Sequence, residues 1–391
     1  MISSNKIKHI NFAEENKLRF FGLKLNFIST VKKLDVNNFE LSAQDKTRFL
    51  ILNSKLRKGQ FISARIALSS INEKLCEDIV YGGNRPELES MQGHISLSHS
   101  SNSAAAAWHP SLSVGIDIES NRPNLDFIKS KFLSSKEIEK IQLSKNPSFA
   151  LRIAWGAKES IYKAANQKGL SFTNDIHLDF TAESNNGKAI AHVCDGTKYS
   201  IGWCMVLNKN GSSEALVWAV QHPKTLRIVL TGPESTGKST LSKSLGEHFD
   251  VPYLKECARD YLNEKNNGYG LKDLVKINDI QLKRQANVDS SKVFLDTDII
   301  TLIIWAKEKF NAPRSIFKSD IKNNSAHLYL LCRPDLPWVY DDQRENADDR
   351  DRIFNLFEKE LEKSKIPFIY VQGKGRDRLK KAITSIQSQM F

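Results

Sequence analysis

Residues 226–240 read LRIVLTGPESTGKST. A run of strand character, LRIVLT, leads without a break into Gly232-Pro233-Glu234-Ser235-Thr236-Gly237-Lys238-Ser239, a full match to G-x-x-x-x-G-K-[ST]. A helix is expected to begin near Ser239 and Thr240. The glycines let the backbone wrap phosphate groups, and the helix N-terminus offers its free N–H groups to them. Lys238 is placed to reach the β- and γ-phosphates of ATP, and the Ser239 hydroxyl to ligate Mg²⁺. The motif alone recurs by chance, but the strand before it and the helix after it are the context the chemistry needs.

Downstream, PYLKE, KVFLDTD, AHLYLLC and PFIYVQG are further strand runs with helical stretches between them. That alternation predicts a parallel sheet covered by helices on both faces, an α/β domain. Asp296 ends the KVFLDTD strand in acid, where such folds contact Mg²⁺, and Glu256 ends PYLKE, where a base for an acceptor hydroxyl is expected. Arg344 and Arg350 lie in a polar stretch, QRENADDR, suited to a lid over the phosphates. Each of these charges alone reads as an ordinary solvated side chain.

Upstream the grammar differs. At 391 residues the chain is long for one core, and His222-Pro223-Lys224-Thr225 is the best boundary, giving domains 1–222 and 226–391. The first 45 residues are expected to begin with strands, and 42–75 to be helical. HISLSHS and SVGIDIES read as strands around an Ala-rich segment, and residues 126–145 as a helix. A second helix runs from Phe149 to about Lys168 and stops at Gly169, before a series of strands separated by Asn-Gly and Asp-Gly turns.

Three pieces of this half carry chemistry. In Gly115-Ile116-Asp117-Ile118-Glu119 two carboxylates fall two apart, on one face of a strand, and hard oxygen ligands so paired suit Mg²⁺. In Trp155-Gly156-Ala157-Lys158-Glu159-Ser160-Ile161-Tyr162-Lys163, Glu159 and Lys163 share a helix face. Ile95-Ser96-Leu97-Ser98-His99-Ser100 sets a histidine among hydroxyls. An acidic strand, a surface Glu–Lys pair and a structural histidine are the plainer readings of each piece taken separately.

In this order and spacing, however, the SxSHS, GIDIE and WxxKESxYK pieces resemble the Sfp-type phosphopantetheinyl transferases over about residues 15–222. The resemblance implies an α+β fold of two pseudo-symmetric halves with the active site in the cleft between them. It implies Asp117, Glu119 and Glu159 as Mg²⁺ ligands at the pyrophosphate of coenzyme A, and Lys163 and Lys158 as stabilisers of developing negative charge. Ser98, His99, Arg85 and Arg57 would bind the phosphates of the adenosine portion. A serine hydroxyl of an acyl or peptidyl carrier protein would attack the β-phosphorus, 3′,5′-ADP would leave, and Glu159 or a metal-bound water would take the proton. Two departures stand out: Arg85 replaces the usual Lys before Pro, and Gly156 replaces a small polar residue.

GPESTGKST, KECARDYL, FLDTDIITLIIW, YLLCRPDLPWVYDDQREN and FEKELEKSKIPF resemble the kinase domain of NadR-type ribosylnicotinamide kinases. That implies ATP-dependent phosphorylation of nicotinamide riboside, with Lys238 and Glu256 in catalytic roles. No HxGH-type motif or helix-turn-helix accompanies it, so adenylylation and repression are not expected. The alternative is a non-catalytic module that reports ATP or NAD status.

Composition narrows the rest. The apolar share of 40% and charged share of 26% are those of a globular protein, and no run approaches the ~18 apolar residues a membrane helix needs. MISSNKIKHINFAEEN has no apolar core before a cleavage site, so a cytoplasmic protein is expected. The five cysteines (Cys76, Cys194, Cys204, Cys257 and Cys332) form no CxxC pair and are expected to be reduced, buried thiols. The net charge of +12 falls mostly before residue 225, with basic residues interspersed among apolar ones. That distribution, without a nucleic-acid-binding signature, fits polyanionic small ligands or an acidic protein partner, and nucleic acid is not expected.

Overall fold

The computed structural model describes residues 22–29, 41–83, 85–122, 124–208, 211–265, 268–317, 320–321, 326–340 and 348–390. The chain divides into two compact units, Met1–His222 and Pro223–Phe391. None of the described helices is long and apolar enough to cross a membrane.

The first unit opens with β1 (Lys24–Ser29), α1 (Ala43–Leu50), α2 (Lys55–Ser69), β2 (Ile79–Gly82) and β3 (Arg85–Leu88), followed by β4 (His94–His99), β5 (Ser103–His109) and β6 (Val114–Glu119). It continues through α3 (Leu125–Ile128), α4 (Ser135–Gln142), α5 (Pro147–Ala165), β7 (Ile176–Leu178), β8 (Asn186–Val193), β9 (Lys198–Leu207) and β10 (Ser213–Gln221). Two larger antiparallel sheets result, β1-β5-β4 and β6-β10-β9-β8-β7, beside the two-stranded β2-β3. Residues of α2 share a buried cluster with β5, and residues of α5 share another with β9 and β10.

The fit of α5 to its sheet depends on two glycines. A Cβ on Gly115 of β6 would lie 1.8 Å from the Ser160 carbonyl oxygen, and one on Gly156 would lie 2.7 Å from Val217 Cγ2. Their bare backbones let helix and sheet close to contact, and Ser160 Oγ donates to the Val217 carbonyl at 3.0 Å.

Several expected boundaries move. The helical stretch 42–75 is two α-helices broken at 51–54 and followed by a 3₁₀ turn, Glu73–Leu75. Residues 126–145 are not one helix, because Ser134 and Glu137 form a reciprocal capping box that starts α4. The Ala-rich segment is itself the central strand β5, every residue of which is buried. Helix α5 ends at Ala165 with Asn166 in the left-handed conformation, and Gly169 lies beyond it. Of the strands expected before residue 45, β1 is the described part. All five cysteines are free; four are buried and Cys194 is exposed.

The second unit contains β11 (Leu226–Thr231), α6 (Lys238–Phe249), β12 (Tyr253–Leu254), α7 (Cys257–Asn263), α8 (Leu271–Ala286), β13 (Lys292–Asp296), α9 (Ile299–Phe310), β14 (Leu328–Cys332), α10 (Arg350–Ser364), β15 (Phe368–Val371) and α11 (Gly375–Met390). Its five strands are parallel in the order β12-β13-β11-β14-β15. Ile228, Val229 and Leu230 of β11 are fully buried, as a strand covered on both faces requires. The α/β class is as the strand–helix alternation implies.

Candidate functional site

In the first unit β6 presents Asp117 and Glu119 toward α5. Both carboxylates are buried, 5% and 3% exposed, a costly arrangement unless charge is compensated. Lys163 of α5 supplies part of the compensation. Its ammonium donates to Asp117 Oδ1 at 2.7 Å and to the Ile116 carbonyl at 3.0 Å, and it lies 3.4 Å from Ser98 Oγ. Arg122 Nε sits 3.0 Å from Glu119 Oε2, and Trp155 Nε1 donates to Glu119 Oε1 at 2.9 Å. Burial, and then the Asp117 charge, push Glu119 up to about 8, against the pull of Arg122 and Trp155. Glu159 is also raised, chiefly by burial and then by Asp117, while Lys163 and Arg122 lower it. Asp117 Oδ2 is buried and finds no hydrogen-bond partner among the described residues. Two acidic groups with an orphaned oxygen between sheet and helix fit a divalent cation. Among the described residues, though, no three such groups converge tightly on one point.

The β4 residues divide in role. Ser98 Oγ donates to Asp117 Oδ1 at 2.9 Å and accepts from the Ile118 N–H at 3.3 Å, so its hydroxyl braces the acidic strand. His99 follows it at the strand end, with its imidazole held below the ordinary value first by desolvation and then by Lys163. Arg85 begins β3; its Nη2 donates to Ser113 Oγ at 3.3 Å, and its buried Nη1 finds no partner among the described residues. Arg57 lies exposed near the start of α2.

Lys158 does not join this cluster. It is fully buried, and its ammonium donates to Glu137 Oε2 at 2.9 Å and to the carbonyls of Phe172 and Ile176 at 2.7 and 2.8 Å. One step round the helix turns it away from Asp117 and into the core, where it cannot take the expected charge-stabilising role. Arg122, which the sequence did not single out, also shapes the site, as does Trp155 of the helix motif. Trp155 packs edge-on to Phe132 at 4.8 Å between ring centroids, which fixes the indole that binds Glu119.

In the second unit the phosphate loop lies between β11 and α6. Gly232 has φ 130°, and a Cβ there would sit 2.6 Å from the Cys332 carbonyl oxygen. Gly237, φ 74°, precedes the helix with no side-chain cap, which leaves the first N–H groups of α6 available. Thr236 Oγ1 donates to the Pro233 carbonyl at 2.8 Å, and the Lys238 ammonium arches over its own loop to the Gly232 and Pro233 carbonyls at 3.0 and 2.7 Å. Ser235 holds the loop from outside, its Oγ accepting from the Val339 N–H at 2.8 Å. Ser239 and Thr240 are exposed.

Asp296 ends β13 at 3% exposure, with Oδ1 buried and without a hydrogen-bond partner among the described residues. Desolvation raises its carboxyl, while Ser239, Lys238 and Arg259 lower it. Strand β12 covers only Tyr253–Leu254, so Glu256 is the N-cap residue of α7 rather than a strand end. Burial and then Asp296 push it up to about 6, and Lys238 and Arg259 oppose this. Glu234, Lys238, Glu256, Asp296 and Ser239 therefore share one electrostatic environment. Arg350 opens α10 and donates to the Leu336 carbonyl at 2.9 Å, while Arg344 lies outside the described residues. Arg378, absent from the expected set, is 4% exposed and ties the loop to its neighbours. It donates to the Thr236 carbonyl at 2.8 Å, the Gly373 carbonyl at 3.0 Å and Asp335 Oδ1 at 2.7 Å. No local motif marks it, since two of its partners, Thr236 and Asp335, lie far away in sequence.

Residues 113–220 match the 4'-phosphopantetheinyl transferase superfamily, and residues 227–378 match the AAA domain family. The chain is a fusion of the two. The matches pair a transferase family with a P-loop nucleotide-binding family. Trifunctional NAD biosynthesis/regulator protein NadR of Escherichia coli (strain K12) is 28% identical over 159 residues, 38% of this chain and 39% of that protein. Its Salmonella typhimurium counterpart is 28% identical over 154 residues, 37% of this chain and 38% of that protein. The chain thus spans well under half the length of these curated relatives. A solved structure of NadR protein in complex with NR is 22% identical, with TM-score 0.38, over 43% of this chain and 52% of that one. Thymidylate kinase from Ehrlichia chaffeensis is 14% identical, with TM-score 0.33, over 42% of this chain and all of its own.

Proposed function

We propose that the first unit, residues 1–222, transfers 4'-phosphopantetheine from coenzyme A to a serine of an acyl or peptidyl carrier protein. The observation that carries this is the pairing of Asp117 and Glu119 on β6 with Glu159 and Lys163 on α5, inside the region that matches the transferase superfamily. Asp117, Glu119 and Glu159 would hold Mg²⁺, which supplies charge compensation at the pyrophosphate. Lys163 is the mobile cation of the site: only part-buried, it can move from Asp117 to the phosphate oxygens as negative charge develops. Glu159, raised above the ordinary carboxylate range, is suited to accept the serine proton. His99, Arg85 and Arg57 would meet the phosphates of the adenosine portion. The basic chain suits an acidic carrier. Incubation with coenzyme A, Mg²⁺ and apo-carrier should add the phosphopantetheine mass to the carrier serine; unmodified carrier across acyl and peptidyl types would refute the reading.

The second unit, residues 226–391, is assigned ATP-dependent phosphorylation of a nucleoside, with nicotinamide riboside as the first candidate. Lys238 and the N–H groups of α6 would bind the phosphates, Ser239 and Asp296 would hold Mg²⁺, and Glu256 would take the acceptor proton. The intact set Lys238, Ser239, Asp296 and Glu256 around one loop supports turnover rather than sensing alone. Release of ADP that depends on nicotinamide riboside tests this. Binding of ATP without turnover on pyridine or other nucleosides would leave a sensing module.

A further inference from the structure

Glu214 is a buried carboxylate that neither proposed reaction uses. It is the second residue of β10, at 1% exposure, next to Ala215, which pairs with Glu119 of β6. Its charge is met by hydroxyl groups from three places. Ser100 Oγ donates to Oε1 at 2.6 Å, Ser120 Oγ donates to the same oxygen at 2.8 Å, and Ser103 Oγ donates to Oε2. Ser100 immediately follows His99, and Ser120 immediately follows Glu119.

These contacts complete a pattern along β4. Ser96, Ser98 and Ser100 are spaced by two, so they fall on one side of the chain. The Ser96 hydroxyl accepts from the Ile116 N–H at 3.0 Å, and the Ser98 hydroxyl accepts from the Ile118 N–H at 3.3 Å. The side chains of one sheet thereby satisfy backbone donors of the other. At Ser100, one residue beyond the end of β4, the hydroxyl accepts from no β6 N–H among the described residues and donates instead to Glu214. Ser100 Oγ in turn accepts from the N–H groups of Asn102 and Ser103 at 3.1 and 3.0 Å, so the β4–β5 turn is held by the same group.

We infer that Glu214 is a positioning residue whose carboxylate clasps the His99–Ser100 end of β4 to the Glu119–Ser120 end of β6. It sets the separation between the phosphate-binding end of one sheet and the acidic end of the other. A carboxylate suits this task because it accepts from several hydroxyl donors at once, and a carboxamide has only one acceptor oxygen.

The test uses the full chain and the variants Glu214→Gln, Ser100→Ala and Ser120→Ala. Its kinetic part rests on the transferase reading; its hydrogen-exchange part does not. In Glu214→Gln, amide exchange should accelerate in peptides covering 96–104 and 116–121 and stay unchanged elsewhere in the first unit. Its kcat with apo-carrier should fall about tenfold, the lower range for groups that orient metal ligands. Ser100→Ala should raise KM for coenzyme A while holding kcat, and Ser120→Ala should lower kcat while holding KM. A purely structural role would not split the two serines in this way. Exchange that accelerates uniformly or not at all, or serine variants that shift only the melting temperature, would overturn the inference. A wild-type protein without transfer would sink the proposed function, and the exchange comparison would still decide the role of Glu214.

Discussion

Lys158 and Lys163 stand on one helix, five residues apart, in opposite surroundings. Lys158 gives its three donors to Glu137 and two carbonyls in the core, while Lys163 spans Asp117 and the strand beside it. Lys158→Met leaves Glu137 as an uncompensated buried charge, a loss of about 3–5 kcal/mol that urea unfolding would register. Lys163→Ala likewise strips the buried Asp117 of its cation and should cost stability too, but its folded protein should have lost transfer where folded Lys158→Met retains it. Transfer lost equally in both folded variants would remove the distinction. Glu119 makes a second expectation. Its carboxyl keeps its proton up to about 8 instead of the ordinary 4.5, so the stability it permits is full below 4.5 and declines as pH climbs toward 8. Glu119→Gln should raise the melting temperature in metal-free buffer at pH 8.5, by roughly 2–4 °C for each kcal/mol regained, and have little effect near pH 4.5. At this scale the spacing made the pairs Asp117–Glu119 and Glu159–Lys163 legible in the sequence, and only the resemblance joined them; the contact between them is that of Lys163 with Asp117. Partners such as Arg378 and Glu214 were not, because their contacts are long-range and carry no local pattern.

Elements fit together here where side chains are missing. Gly115 and Gly156 let α5 settle on β6 and β10, and their substitutions should differ. Gly115→Ala drives a Cβ into the backbone oxygen of Ser160, which cannot yield, so its cost should reach or exceed the ~3 kcal/mol typical of severe overpacking. Gly156→Ala meets the Val217 side chain, at 2.7 Å from Cγ2 and 3.1 Å from Cβ, rather than a backbone oxygen at 1.8 Å, and should cost less. Thermal unfolding of the two variants checks the order, and a more damaging Gly156→Ala would contradict the packing described. The strand β5 shows why local propensity misleads. Alanine favours helix, yet Ala104 and Ala106 face one buried cluster and Ala105 and Ala107 the other, and small side chains are what a strand covered on both faces accepts. The break before α4 was legible in principle: Ser134 and Glu137 have the spacing of a capping box, and apolar periodicity across 126–145 obscured it. Asn166, not Gly169, ends α5 because an asparagine also tolerates the left-handed conformation.

At the scale of the whole molecule, the clusters of buried residues in each unit are drawn from that unit alone. Calorimetry of the full chain should accordingly resolve two transitions, with coenzyme A raising one and ATP the other, each by mass action. A single transition moved by both ligands would contradict this. The change of grammar at 222–226 was readable because an antiparallel, turn-rich pattern gives way to strand–helix alternation there, whereas the serine contacts between the two sheets of the first unit have no equivalent signature. The central claim is that Asp117 belongs to the transfer site. Labelling of an apo-carrier protein with a fluorescent coenzyme A analogue, comparing the wild type with Asp117→Ala, tests it most directly. Mg²⁺-dependent labelling of the carrier serine that disappears in the variant is the predicted result, and labelling that survives Asp117→Ala would contradict it.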